Sequence, residues 1–266
     1  MNIGFIGAGN MASALVGGLI SSELIRPDEL SMSDKNSLSL KSWHTKGVFT
    51  TEDNTEVLKH SDIVVFAVKP NILPVVLDEA KDFSKDKIFI SIAAGVTIET
   101  IEETLGKNAK IIRVMPNTPA KVNCGITVIA PNKNITSSEL EVAKKIFSAV
   151  GEVVLLDEKY INAATALHGS SPAYVYLLID AMADSGVRYG IPKEISLKLA
   201  AKTVEGAAKM VLETKEHPQA LKDAVCSPGG TTIAAVCELE KKGFTSSISS
   251  AIDACVKKAD EMSKQK

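Results

Sequence analysis

Cysteine, net charge and long apolar runs are all scarce in this chain, and each scarcity narrows what it does. The four cysteines, Cys124, Cys226, Cys237 and Cys255, are scattered without a C-x-x-C pair. They neither staple a small fold nor outline a metal site, so no metal is expected and a reducing cytoplasm is the expected compartment. The formal net charge is −2, which lacks the basic footprint of a nucleic-acid binder. The longest apolar runs, such as residues 63–68, fall far short of the ~20 residues that cross a bilayer, so no membrane partner is expected. The start, Met1-Asn2-Ile3-Gly4, has neither the basic beginning nor the small-residue cleavage site of a secretory leader. No internal repeat, low-complexity tract or flexible linker stands out.

What is present is the composition of an ordinary globular protein, 45% hydrophobic and 23% charged over 266 residues. The first half alternates short Ile- and Val-rich runs (3–6, 63–67, 88–92, 111–114) with amphipathic stretches (12–20, 75–80, 98–105). A second strand lies near 30–32, and a helix near 138–150 and the run 152–156 complete the pattern. Such alternation predicts an α/β fold, a parallel sheet with helices on both faces. After about Asp157 the composition shifts to Ala- and Leu-rich segments at 160–185, 193–213, 231–242 and 245–264. Gly186, Gly190 and Pro192 punctuate the first pair. Two domains are expected: residues 1–157, and an all-helical part over 158–266. The stretch 173–182 is apolar around most of its circumference. Either its own chain buries it or a second subunit does, and so small a domain favours the second subunit.

Chemistry enters with Gly7-Ala8-Gly9-Asn10-Met11-Ala12, which directly follows the first strand and opens a helix. This is G-x-G-x-x-A in its required setting. Gly7 allows the tight turn, Gly9 lets backbone approach a pyrophosphate, and Ala12 allows close helix–strand packing. Turn-forming residues also follow the other strands: Ala67-Val68-Lys69-Pro70, Ala93-Ala94-Gly95 and Met115-Pro116-Asn117-Thr118-Pro119. Ligands of open α/β sheets bind at those carboxyl ends, so these loops line one crevice or merely punctuate the chain. After the second strand come Ser33-Asp34-Lys35. Asp34 suits a ribose 2′-hydroxyl, and hence NAD, or an exposed turn; Ser33 and Lys35 suit the 2′-phosphate of NADP.

The most specific stretch lies late: Leu221-Lys222-Asp223-Ala224-Val225-Cys226-Ser227-Pro228-Gly229-Gly230-Thr231-Thr232. A Pro-Gly-Gly bend running into a helix presents free amides and hydroxyls, which suit a small carboxylate or a plain helix cap.

On these blocks, together with residues 91–97 and Ser170-Ser171-Pro172-Ala173-Tyr174, the chain resembles the pyrroline-5-carboxylate reductase family over essentially its whole length. The resemblance implies a Rossmann domain followed by a helical domain. It implies helical domains interlocked into a homodimer, with dimers often joined into rings. Active sites then lie between the Rossmann domain of one subunit and the helical domain of another. It implies NADPH as cofactor, with NADH also serving, and pyrroline-5-carboxylate reduced to proline as the last step of proline synthesis.

By motif match, Asn10, Met11, Lys69, Pro70 and Ala94 touch the cofactor, in a site completed by Gly7, Ala8, Gly9, Ser33, Asp34, Lys35, Ala67, Val68, Ala93 and Gly95. Asn54 matches an adenosine-side asparagine. The substrate side draws on Met115, Asn117 and Ser171 and on the loop Ser227, Gly229, Gly230 and Thr231. Thr232 matches the threonine that hydrogen-bonds the ring nitrogen and is the catalytic candidate.

Two departures stand out. The family often reads Ser-Gly-Ser-Gly where this chain has His168-Gly169-Ser170-Ser171, so His168 is either catalytic or a locally satisfied histidine. Lys215 stands where some relatives carry a substrate-side glutamate, and that role is not carried over. The rivals are a reductase of another cyclic imine carboxylate, a 3-hydroxyacid dehydrogenase and an NADPH-sensing protein without turnover. Dehydrogenases of that kind resemble one another in a helical lysine base, yet residues 162–187 hold no Lys or Arg. A sensor would have a blunted substrate loop, whereas Ser227 to Thr232 are intact.

Overall fold

Strand β1 (Ile3–Ile6) sends alternate side chains to opposite faces, so Ile3 and Phe5 enter one core and Ile6 the other. The computed structural model describes residues 1–85 and 87–264. After β1 come α1 (Asn10–Ser21), β2 (Leu30–Ser33), α2 (Ser37–His44), β3 (Phe49–Thr51), α3 (Asn54–His60) and β4 (Ile63–Phe66). Next are α4 (Leu73–Ala80), β5 (Ile88–Ser91), α5 (Ile98–Leu105), β6 (Lys110–Met115), β7 (Gly125–Pro131), α6 (Ser137–Ser148) and β8 (Gly151–Leu155).

These strands form one sheet in the order β3-β2-β1-β4-β5-β6-β7-β8. All neighbours are parallel except β6 and β7. The parallel sheet expected from the sequence is present, with the β6–β7 pair as its one antiparallel step. The turn through 118–124 brings the chain straight back beside β6, which an antiparallel neighbour permits and a parallel one does not. Neither β3 nor β7 is anticipated by the apolar runs.

Helices cover both faces. Leu15 and Leu19 of α1 and Ile146 and Phe147 of α6 are buried against one face. Leu58 of α3, Leu73 and Leu77 of α4 and Ile101 of α5 are buried against the other. Each such side chain contributes about 1.5–3 kcal/mol by leaving water. The strand order reverses between β1 and β4, which opens a crevice at their carboxyl ends.

Beyond the sheet lie α7 (Ile161–Ala164), a π-helical turn at Thr165–Gly169, α8 (Ser171–Arg188) and α9 (Lys193–Thr214). The chain then forms α10 (Pro218–Ala224), α11 (Thr231–Lys241) and α12 (Phe244–Lys264). The single helix expected over 160–185 is therefore broken, and α10 is an addition. Two compact units result: Met1–Ser170 with the chain from Cys255, and Ser171–Ala254. The composition change at Asp157 marks the end of the sheet, while the first compact unit runs on through α7.

Inside the helical unit, α8 and α9 approach closely at Gly186, where a Cβ would lie 2.5 Å from Ser196 Oγ. Lys193 bridges back to Asp180 and Asp184 of α8. Much apolar surface stays uncovered in the isolated chain: Leu177 is 73% exposed, Leu212 67% and Tyr176 59%.

Candidate active site

The glycine turn closes against the exits of β2 and β4. Gly7 donates its amide to Ser33 O at 2.7 Å. Its φ of +101° suits glycine, and a Cβ there would sit 2.6 Å from Ala67 O. Gly9 is the opposite case: exposed, in extended backbone (φ −71°, ψ −173°), with nothing within 4 Å of a Cβ position. It caps α1 with no side-chain hydrogen bond, and the first turn of α1 has no acidic residue. The opening amides of α1 therefore face open space with the positive end of the helix dipole behind them. That cradle fits a dinucleotide pyrophosphate.

Four other helices of the same unit are capped by their own sequence: Asn36 accepts from Leu38, Asp53 from Thr55, Thr97 from Thr100 and Thr136 from Glu139. Like α1, α4 and α7 start without a side-chain cap, but α1 starts from an exposed glycine.

Around the turn, the carboxyl ends of β1, β2, β4, β5 and β6 bring Gly7, Ala8, Gly9, Asn10, Met11, Ser33, Asp34, Lys35, Ala67, Val68, Lys69, Pro70, Ala93, Ala94, Gly95, Met115 and Asn117 to one edge of the sheet. Gly95 has φ +78°. A cavity of about 480 Å³ opens beside Pro70, Ala94 and Gly95, walled by Leu73, Leu77 and Met262. Asn54 joins them at the start of α3, where it accepts a hydrogen bond from the buried Ser33 hydroxyl and donates to Glu79 Oε2, each at 2.7 Å. Ser171 and Ser227 to Thr232 belong to the other compact unit.

Several of these side chains are already engaged. Asn117 donates to His168 O at 3.1 Å and accepts from the Ile126 amide at 2.9 Å. Its amide group thus pins the β6 exit to the π-helical turn. His168 puts both ring nitrogens on backbone carbonyls, Ala164 O at 2.5 Å and Met115 O at 2.8 Å. Whichever ring nitrogen carries the proton donates to a backbone carbonyl, and the ring sits between the end of β6 and that turn.

A buried charge network went unread in the sequence. Arg113 of β6, with its side chain 3% exposed, donates to Glu158 Oε1 at 3.2 Å and to Asn162 Oδ1 at 3.1 Å. Burial pushes the guanidinium pKa down, while Glu158 pulls it back up. Glu158 also accepts the Ile98 amide that opens α5, just after Gly95, and Asn162 donates to Asp260 and Ser263 of α12. The only sequence signal was a charged residue inside an Ile-rich run.

In the helical unit, residues 227–230 form a tight turn closed by Gly230 N donating to Ser227 O at 3.0 Å. Pro228 occupies the second position and Gly229, at φ +68°, the third, as a type II turn requires. Gly230 caps α11 without a side-chain bond, so the amides of Thr231 and Thr232 are left free, with Thr232 half-buried. A Cβ on Gly230 would lie 2.3 Å from Ser227 Oγ. Lys215 ends α9 in left-handed conformation at φ 58°.

Residues 2–95, which carry the glycine turn, match the family described as "NADP oxidoreductase coenzyme F420-dependent". Site and match together define an oxidoreductase that uses a nicotinamide dinucleotide. Residues 158–262 match the family described as "pyrroline-5-carboxylate reductase dimerisation", which supports homo-oligomerisation. The chain belongs to the pyrroline-5-carboxylate reductase family.

Its curated relatives include pyrroline-5-carboxylate reductase of Escherichia coli, 45% identical over 264 residues, with 98% of each chain covered. The Arabidopsis thaliana enzyme is 41% identical over 263 residues, covering 98% of this chain and 95% of that one. Among solved structures, a pyrroline-5-carboxylate reductase from Coxiella burnetii superposes with a TM-score of 0.93 at 38% identity, covering 99% of each chain. Plasmodium falciparum pyrroline carboxylate reductase with NADP bound does so at 0.91 and 35%, covering 99% of this chain and 98% of that one.

Proposed function

We propose that the chain reduces 1-pyrroline-5-carboxylate to L-proline, the last step of proline biosynthesis, with NADPH or NADH as hydride donor. The observation that carries this reading is the 227–232 turn, which leaves the Thr231 and Thr232 amides free at an uncapped helix start, with Thr231 exposed and Thr232 half-buried. The Gly230 amide closes the turn on Ser227 O, so the amides of Thr231 and Thr232 are the ones that hold the substrate carboxylate, helped by the dipole of α11. The Thr232 hydroxyl hydrogen-bonds the ring nitrogen and orients the C=N bond, whose nitrogen takes its proton from solvent before hydride arrives. Ser227 and Gly229 shape the turn, and Ser171 and the backbone at Met115 and Asn117 border the substrate.

When bound, the reduced nicotinamide supplies the hydride for the C=N carbon. Gly7 and Ala8 shape the turn, the backbone from Gly9 to Met11 holds the pyrophosphate, Asn54 the adenosine side, and Lys69, Pro70 and Ala93 to Gly95 the nicotinamide side. A protonated imine is already electrophilic, so alignment of the two reactants accounts for much of the acceleration. Two copies pair through the helical part, residues 158–266, and the loop of one copy serves the dinucleotide held by the other. Four unpaired cysteines suit a reducing compartment, and the cytoplasm is the one assigned.

The test is direct. Purified protein mixed with pyrroline-5-carboxylate and either reduced dinucleotide is followed by loss of reduced-nicotinamide absorbance and by amino-acid analysis. Appearance of proline in step with cofactor oxidation supports the reading. Cofactor oxidation with a 3-hydroxyacid's oxidised partner and not with the imine removes it.

A further inference from the structure

At the end of β2 the chain builds a negative site where a 2′-phosphate would have to lie. Asp34 Oδ2 accepts the Ala8 amide of the glycine turn at 2.7 Å, and Oδ1 accepts the Asn36 amide at 2.8 Å. The carboxylate is thereby fixed beside the turn that holds the pyrophosphate. A carboxylate offers about four lone-pair sites, so two hydroxyl donors can still be accepted.

The groups that would neutralise a phosphate already hold other partners, the Ser33 hydroxyl through its one proton and Lys35 through one of its three donors. The Ser33 hydroxyl is buried and donates to Asn54 Oδ1. Lys35 Nζ donates to Glu52 O at 3.0 Å. Asn54 Nδ2 donates to Glu79, which brings a second carboxylate into the same chain of hydrogen bonds. No arginine occurs between Arg26 and Arg113, so the segment provides no guanidinium fork for a phosphate.

We propose that Asp34 is a specificity-determining residue that accepts the adenosine ribose hydroxyls and repels a 2′-phosphate, so that this enzyme prefers NADH to NADPH. The preference rests on reading the chain as a dinucleotide-dependent imine reductase. Its sign departs from the NADP named for the Plasmodium falciparum relative.

Steady-state rates with both dinucleotides test it in the wild-type protein and in Asp34→Asn, which keeps a carbonyl oxygen for the Ala8 amide and removes the charge. The expected wild-type kcat/KM favours NADH by about tenfold or more, as for like charges in contact near a protein surface. Asp34→Asn shifts that ratio towards NADPH by about tenfold, the shift is carried by KM, and added salt narrows the wild-type difference.

Calorimetric titration of adenosine 5′-monophosphate and adenosine 2′,5′-bisphosphate reads the same site without turnover. Asp34→Asn should strengthen only the 2′-phosphorylated probe. Wild-type protein that favours NADPH, or a ratio and probe affinities unmoved by Asp34→Asn, overturns the assignment. If neither dinucleotide reduces the imine, the functional reading fails, and the two nucleotide titrations still decide the role of Asp34.

Discussion

Gly9→Ala separates the ligand-binding role of the glycine turn from its folding role. Gly9 has φ −71° and ψ −173°, backbone that any residue adopts, and a methyl there would meet nothing within 4 Å. Reducing unfolded-chain freedom stabilises by about 0.4–1 kcal/mol, while alanine is the poorer helix cap, so the two effects nearly cancel. Folding stability should change by less than about 1 kcal/mol. The methyl would stand in the space assigned to the pyrophosphate, and dinucleotide affinity should fall about tenfold or more, about 1.4 kcal/mol.

Gly7→Ala is the contrast. Its φ is +101°, and its Cβ would lie 2.6 Å from Ala67 O and 2.9 Å from Ala67 C, backbone atoms with no rotamer to escape into. Strain alone costs about 1–3 kcal/mol, and about 2–4 °C of Tm is lost per kcal/mol in a chain of this size. Fluorescence titration with reduced dinucleotide and thermal unfolding measure both effects. Wild-type affinity in Gly9→Ala, or a Tm loss there equal to that of Gly7→Ala, refutes the assigned roles.

Thr232→Ala removes one hydrogen bond to the ring nitrogen and should lower turnover about tenfold while leaving dinucleotide affinity intact, read by steady-state kinetics beside a binding titration. Arg113→Met strands Glu158 and Asn162. Because the Glu158 side chain is 30% exposed, the loss should fall near the lower end of the ~3–5 kcal/mol seen for broken buried pairs, measured by denaturant unfolding. Burial works to raise the Glu139 pKa, but hydrogen bonds from Lys110 and from the amide and hydroxyl of Thr136 outweigh it and hold the carboxyl below its ordinary value. A depressed folded-state pKa contributes stability that is complete above the unfolded value, ~4.3, and is lost as pH falls through the folded one. The Tm gap between wild type and Glu139→Gln should therefore close on acidification; a constant gap from neutral pH to pH ~3 contradicts the linkage.

Much of this was readable because it is local. The helix at Ile98–Leu105 shows both its ends in the sequence, through the Thr97 cap and Gly106 at φ 94°. The turns at Gly7 and at Pro228–Gly229 depend on backbone conformations that only particular residues allow, so the sequence reveals them. What stayed hidden depends on distant partners. Strand β3 is three residues at the sheet edge, too short for any periodicity. The break at Thr165–Gly169 lies in an Ala-rich run that reads as continuous helix, and it is held by His168 reaching Met115, 53 positions away. Arg113 meets Glu158 and Asn162 across separations of 45 and 49 residues. Ser33 reads as a free phosphate donor until its bond to Asn54 is seen.

The central claim is that a dinucleotide held on the glycine turn delivers hydride to an imine acid held by the 227–232 loop. Pyrroline-5-carboxylate and reduced dinucleotide labelled with deuterium at the transferable C4 position test it most directly, with the product examined by mass spectrometry and NMR. One deuterium in each proline formed, on the ring carbon that was doubly bonded to nitrogen, is the predicted result. Unlabelled proline, or deuterium at any other carbon, contradicts it.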